Sequence, residues 1–167
     1  MSPELQRLID IEDIRQLKAR FGLLMDALCR PHEDSLAADF SALFTEDATV
    51  DSASFGHFEG RAQIQDLFSK AVPSQMQAMW HSFQNPLIEV DGDRASGRWT
   101  MIAYIYPANV APVAPILTFG RYTDEYRRVE ARWRLAKLFF ESSQLDSNAL
   151  DDAAQGMNQA MVGKNTK

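Results

Sequence analysis

His81 is the residue best suited to move a proton, and it lies in the apolar stretch AMWHSFQNP. An imidazole takes up and returns a proton near neutral pH, because its ordinary pKa is about 6.5. A carboxylate on the other ring nitrogen fixes the tautomer and stabilises the imidazolium that forms. Asp26 is best placed to supply it, since it borders the apolar stripe of the predicted first helix. The alternative is a structural His81, with Asp26 paired to an arginine at the helix edge.

Motifs for other kinds of catalysis are missing. The sequence has no G-x-G and no G-x-x-x-x-G-K-[ST], so we expect no nucleotide cofactor. Its 3 histidines and single cysteine do not have the spacing of metal ligands, so we expect no metal site. G-x-S-x-G is also absent, and Cys29 has no local activating group. Acid-base chemistry without a cofactor is what remains.

Length and charge limit the class of protein. A chain of 167 residues with 46% hydrophobic content suits one domain with one core. The net charge of −6, without a long Lys/Arg cluster, argues against nucleic acid and anionic membranes as partners. The acidic N-terminal stretch does not resemble a signal peptide, and no apolar run is long enough for a membrane span. With a single cysteine, the sequence predicts a cytoplasmic protein.

The patterns predict helices first and strands afterwards. Apolar residues at steps of three and four predict one long helix from Pro3 to Cys29, followed by short helices over 36–44 and 61–71. Hairpin turns DGDR and VEAR separate four predicted strands: NPLIEV, ASGRWTMIAYIYP, PILTFGRYTDEYRR and RWRLAKLFFES. This order favours an α+β domain over residues 1–142, in which a curved, mostly antiparallel sheet wraps around the long helix and forms a cone-shaped cavity. Residues 143–167 are predicted to be a tail, docked or partly disordered.

Four stretches together resemble a known family: IEDIRQLKARFGLLMDAL, ALFTEDATVDSASFGHFEGRAQI, MWHSFQNPLIEVDGDRASGRWTM and FGRYTDEYRRVEARWRLAKL. Over about residues 8 to 142 the chain is similar to the SnoaL-like branch of the nuclear-transport-factor-2-like superfamily. It most resembles that group's cofactor-independent lyases: bile acid 7α-dehydratase, scytalone dehydratase and hexachlorocyclohexane dehydrochlorinase. The resemblance implies a catalytic dyad of a helix aspartate and a strand histidine at the cavity floor. The matching residues here are Asp26 and His81.

Two positions depart from the pattern of those lyases. Phe21 stands five residues before the helix aspartate, where the bile acid dehydratase carries a tyrosine and the dehydrochlorinase a lysine. Ser52 stands where the two dehydratases carry a tyrosine. The hydrogen-bond donor to the reacting oxygen must therefore come from elsewhere, and Tyr104 and Tyr122 are the catalytic candidates. The residues expected to line the substrate pocket are Phe21, Ser52, Trp80, Phe83, Gln84, Met101, Tyr106, Leu138 and Phe140.

The resemblance implies a cofactor-independent lyase. We expect a dehydratase that acts on a hydrophobic cyclic or aromatic hydroxylated small molecule, and the same dyad would also serve retro-aldol cleavage with release of an aldehyde. Two alternatives stay open: an isomerase of the ketosteroid type, and a non-catalytic module for small-molecule binding or assembly. An open curved sheet leaves an outer face and an edge to cover, so we expect a homo-oligomer, either a dimer or a trimer.

Overall fold

The computed structural model describes residues 1–30, 36–52, 56–108 and 115–144, and its longest helix is α1, Pro3–Leu28. Ser2 caps α1, because its Oγ accepts a hydrogen bond from the backbone N–H of Leu5 at 3.2 Å. The apolar residues of its buried face follow one another at spacings of three and four: Ile14, Leu17, Phe21, Met25 and Leu28. The predicted long amphipathic helix is confirmed.

The shorter helices differ from their predicted bounds. They are α2 (Leu36–Ser41), α3 (Arg61–Asp66), a π-helical turn (Leu67–Ala71) and α4 (Val72–Gln75). α2 ends before residue 44 because Phe44 already belongs to a strand. The helix predicted over 61–71 is present but changes to π geometry halfway, and α4 extends it to Gln75.

One six-stranded sheet faces α1. Its strands are β1 (Phe44–Ser52), β2 (Gly56–Glu59), β3 (Met76–Asp91), β4 (Arg94–Pro107), β5 (Ile116–Val129) and β6 (Arg132–Gln144). They lie in the order β2-β1-β6-β5-β4-β3, and all neighbours are antiparallel except β1 and β6. The two predicted hairpins, β3–β4 and β5–β6, are confirmed, whereas strands β1 and β2 do not follow from the sequence patterns.

β3 contains a bulge that decides which side chains face inward. The pairing of β3 with β4 shifts between Gln84 and Leu87, and Asn85 adopts a left-handed backbone conformation with φ of 51°. From Met79 to Phe83 the more buried side chains are at odd positions; after the bulge they are at even positions, such as Ile88. The bulge therefore reverses the alternation and places His81 on the inner face.

The architecture confirms the predicted fold class: a long N-terminal helix against a curved, mostly antiparallel sheet that does not close into a barrel. The core between helix and sheet is rich in aromatic rings, with Phe21 at its centre in contact with Phe40, Phe44 and Phe68. Within the described ranges, no helix has both the length and the apolar character that a membrane crossing requires. The predicted tail lies outside the described residues beyond Gln144, so its docking stays a prediction.

Candidate active site

His81 and Asp26 lie in direct contact. The imidazole Nδ1 is 2.6 Å from Asp26 Oδ1, and the backbone N–H of His81 donates to Asp26 Oδ2 at 3.0 Å. Because a carboxylate only accepts hydrogen bonds, this contact places a proton on Nδ1 and leaves Nε2 as the basic nitrogen. The side chains are 5% and 14% exposed, respectively, so water competes little with the pair.

Gly22 allows helix and strand to approach closely enough for this contact. A Cβ at Gly22 would lie 2.7 Å from the ring of Phe83 and 3.8 Å from the Cβ of His81. Asp26 follows Gly22 by four residues, one helical turn, and therefore projects on the same side of α1. The Phe83 ring stacks on the imidazole with ring centroids 6.0 Å apart and planes at 10°. Backbone proximity and ring packing thus hold the imidazole in place.

An interior cavity of about 160 Å³ opens beside His81. Its walls are predominantly apolar, with a few hydroxyl groups: Met25, Val50, Ser52, Phe68, Val72, Met76, Met79, Met101, Ile105, Thr118, Tyr122, Leu138, Phe140 and Ser142. Six residues expected at the site therefore meet at this cavity: His81, Tyr122, Ser52, Met101, Leu138 and Phe140. An apolar cavity with a few convergent polar groups is the usual form of a small-molecule site.

Two other predicted pocket residues lie behind the cavity wall. Phe21 has no exposed surface, and its ring packs between Phe83 and Tyr122 at centroid distances of 5.9 and 6.1 Å. Phe83 faces a groove of about 480 Å³ between α1 and β3 that His81 also borders. We assign the site to the cavity rather than to this groove, because Tyr122 borders the cavity and the groove is walled mainly by side chains of α1.

Four residues predicted at the site lie away from His81 and Asp26. Trp80 and Tyr104 pair across β3 and β4 and are 66% and 50% exposed, on the face of the sheet opposite to His81. Gln84 is exposed on β3, and Tyr106 shares the strand alternation of Tyr104. Successive side chains of a strand point to opposite faces, which separates these residues from the cavity. Of the two tyrosines named as catalytic candidates, only Tyr122 borders the same cavity as His81.

Tyr122 has the properties of a hydrogen-bond donor that keeps its proton. It is 5% exposed, and burial, together with the negative charges of Asp124 and Asp26, raises the pKa of its phenol above the ordinary value. Its ring stacks on Phe140 with centroids 4.6 Å apart. The hydroxyl therefore stays protonated across the physiological pH range.

A buried polar network next to the site was not found from the sequence. Lys18 Nζ donates to Asp124 Oδ2 at 2.8 Å, and both side chains have no exposed surface. Tyr126 donates to the same oxygen at 2.7 Å and accepts from Trp99 Nε1 at 3.1 Å. Burial lowers the pKa of Lys18 and raises that of Asp124, and each partner opposes the effect on the other. Two features of the sequence could have revealed this network: Lys18 falls on the apolar stripe of α1, and Asp124 alternates with Tyr122 and Tyr126 on β5.

No group of three or more His, Cys, Asp or Glu side chains that could hold a metal ion is found among the residues described. The one cysteine, Cys29, is buried, and burial and the Asp26 charge raise the pKa of its thiol to about 11. It is therefore a poor nucleophile at neutral pH.

The profile of the SnoaL-like domain family matches residues 6–139, and the chain belongs to this family. Similar solved structures include a candidate scytalone dehydratase from Novosphingobium aromaticivorans, with 18% identity, a TM-score of 0.70, and 83% of this chain and 87% of that chain covered. The hexachlorocyclohexane dehydrochlorinase LinA-type3 from Novosphingobium barchaimii is 20% identical, with a TM-score of 0.71, and 86% of this chain and 95% of that chain are covered. An NTF2-like protein with a cystatin-like fold from Novosphingobium aromaticivorans is 26% identical, with a TM-score of 0.62, and 90% of this chain and 91% of that chain are covered. No curated protein matches the sequence.

Proposed function

We propose that this protein is a cofactor-independent lyase, a dehydratase, in which His81 is the general base and Asp26 orients it. The observation that carries the proposal is the 2.6 Å contact between His81 Nδ1 and Asp26 Oδ1 beside a cavity of about 160 Å³. Membership of the SnoaL-like family and the fold shared with a dehydrochlorinase agree with lyase chemistry on small molecules.

The proposed reaction begins at a carbon next to a carbonyl group. His81 Nε2 takes a proton from this carbon, and the electron pair of the C–H bond moves to form an enolate. Tyr122 donates a hydrogen bond to the enolate oxygen, a contribution of about 3 kcal/mol for a well-placed donor. The enolate then expels the β-hydroxyl group as a C=C bond forms, and the imidazolium returns its proton to the departing oxygen. Water leaves, and the dyad is restored.

The size of the cavity favours a substrate with one ring. An engineered apolar cavity of about 150 Å³ binds benzene, so a cavity of about 160 Å³ suits a single six-membered ring with small substituents. Four fused rings would require the cavity to open further. We therefore propose a neutral, hydroxylated, single-ring ketone as the substrate class.

The two alternative functions differ from the dehydratase in separate ways. An isomerase would use the same base but return the proton to another carbon, so its product keeps the mass of the substrate. A binding module needs no general base; the direct contact of Asp26 with His81 beside an open cavity favours catalysis over binding alone.

We further propose that the outer sheet face pairs with a second copy of the chain, giving a dimer or a trimer. Trp80, Tyr104 and Leu117 are direct neighbours across three strands and are 66%, 50% and 39% exposed. Covering such an apolar row removes it from water. Sedimentation equilibrium of wild type and a Trp80→Lys variant tests this: the variant should dissociate, and a monomeric wild type would contradict the proposal.

The test of function is a panel of cyclic β-hydroxy ketones incubated with the protein in H₂O and followed by NMR and mass spectrometry. Wild type should release product lighter by the mass of one water, with a new C=C bond beside the carbonyl group. The His81→Ala variant should not. Equal turnover by wild type and His81→Ala would contradict the proposal, and product of unchanged mass would favour the isomerase.

A further inference from the structure

Lys18 is buried next to the site without a role in the proposed reaction. Its side chain has no exposed surface, and its ammonium is held by Asp124 at 2.8 Å. Because desolvation offsets much of the attraction, a buried ion pair usually adds little net stability compared with apolar residues of the same volume. The pair therefore calls for an explanation other than folding stability.

Three aromatic rings surround the Lys18 ammonium. Nζ lies 3.8 Å from the centroid of Tyr122 and 4.8 Å from the centroids of Phe21 and Phe83. The faces of aromatic rings attract a cation, and this attraction is stronger where water is excluded. The carboxylate and the three rings together favour the charged form of Lys18, against the desolvation that lowers its pKa.

Tyr122 connects this cage to the cavity. One face of its ring contacts the ammonium, and the residue lines the cavity with His81. A cation on the face of a phenol draws electron density from the ring and its oxygen, which makes the O–H a stronger donor. The carboxylates of Asp124 and Asp26 act in the opposite direction. Of these charged groups, Lys18 contacts the ring directly.

We propose that Lys18 is a positioning residue that acts through Tyr122: its ammonium strengthens the hydrogen bond that the Tyr122 hydroxyl donates to an oxyanion in the cavity. This inference rests on the proposed function, in which Tyr122 stabilises an enolate. Asp124 has the supporting role of holding the ammonium on the ring.

The probe is 4-nitrophenol, a single-ring compound whose phenolate form imitates the enolate oxygen; nitrobenzene is the matched neutral probe. Binding of both is measured by titration at a pH where 4-nitrophenol is ionised. The test variant is Lys18→Met with Asp124→Asn, which removes both charges at similar volume and leaves an acceptor for Tyr126. Lys18→Met with Asp124→Leu is a second variant with the same expectation, should the first not fold.

The charge-removed variant should bind the phenolate roughly threefold to tenfold more weakly than wild type, with nitrobenzene affinity unchanged. In a Tyr122→Phe background, the same removal of charge should have no further effect on the phenolate. The role of Lys18 would be overturned if the charge-removed variant bound the phenolate as tightly as wild type. It would also be overturned if removing the charges lowered the phenolate affinity equally in the Tyr122→Phe background.

Failure of the proposed function gives a different result. If Tyr122→Phe binds the phenolate as tightly as wild type does, Tyr122 is not the donor and the inference about Lys18 falls with it, whereas the dehydratase proposal is decided by the turnover of His81→Ala. If Tyr122→Phe binds the phenolate more weakly than wild type and the charge-removed variant does not, the donor role of Tyr122 stands and only the inference about Lys18 is wrong.

Discussion

Replacing Asp26 by asparagine should change the tautomer of His81. The carboxylate accepts two hydrogen bonds, one from His81 Nδ1 at 2.6 Å and one from the His81 backbone N–H at 3.0 Å. An amide has a single acceptor oxygen, so one of these two contacts must be lost. If the amide nitrogen faces the ring, Nδ1 becomes the acceptor and the proton moves to Nε2, the nitrogen that should act as the base.

The size of the effect follows from these two alternatives. If the amide nitrogen instead faces the backbone, two donors oppose each other, at a cost of about 1 to 3 kcal/mol. The amide therefore turns its nitrogen toward the ring and fixes the unreactive tautomer. An Asp→Asn change of this kind in a Ser-His-Asp triad lowers turnover about 10⁴-fold, and we expect a loss of about 10² to 10⁴ here.

The tautomer is measured directly by NMR of protein with ¹⁵N-labelled histidine. Wild-type His81 should show a protonated Nδ1 and an unprotonated Nε2, and Asp26→Asn should reverse them. His57 provides an internal control, since its Nδ1 is 2.6 Å from Asp51 and neither residue is changed. A His81 that keeps its proton on Nδ1 in Asp26→Asn, with unchanged thermal stability, would refute this reasoning.

Three further predictions concern the surroundings of the site. Gly22→Ala should lower the free energy of unfolding by about 1 to 3 kcal/mol, because the new Cβ would lie 2.7 Å from the Phe83 ring; urea denaturation measures this. Cys29, with a thiol pKa raised to about 11, should react with a disulfide reagent at neutral pH only after denaturation, and rapid reaction of the native protein would contradict its burial. Burial raises the pKa of Asp10, but hydrogen bonds from Arg128, Gln6 and Trp133 outweigh this effect, and the pKa in the folded protein is lowered. The Asp10 carboxylate therefore stabilises the fold above its unfolded pKa of 3.8, and this stabilisation is lost as the pH falls through the lower pKa of the folded protein. Asp10→Asn should therefore flatten the loss of stability in acid, and an unchanged acid profile would contradict it.

The long helix and the late hairpins could be predicted because their patterns are local. The apolar residues of α1 repeat at helical spacing, and the turns DGDR and VEAR separate apolar strands. β1 was missed because several of its buried positions hold small or polar residues, Thr45, Ala48 and Ser52, so that the apolar alternation of a strand is weak. The start of β3 was missed because no turn residue stands between Gln75 and Met76, where α4 passes directly into the strand.

The face of each strand could be predicted only in part. Met101 and Tyr104 are three positions apart on β4, so strand alternation alone places them on opposite faces, and Tyr104 could have been separated from the pocket. For β3 the same rule fails, because the bulge at Asn85 reverses the alternation between His81 and Ile88. A bulge depends on the register with the neighbouring strand, which a single sequence does not contain.

The most direct test of the central claim compares the turnover of His81→Ala and His57→Ala on the first β-hydroxy ketone that the wild type dehydrates. Both His81 and His57 have their Nδ1 2.6 Å from an aspartate, but of these two, His81 lies at the cavity and His57 does not line it. The turnover of His81→Ala should be about 10²- to 10⁴-fold lower than that of wild type, with an unchanged melting temperature. His57→Ala should be as active as wild type. A His81→Ala variant with wild-type turnover would contradict the account.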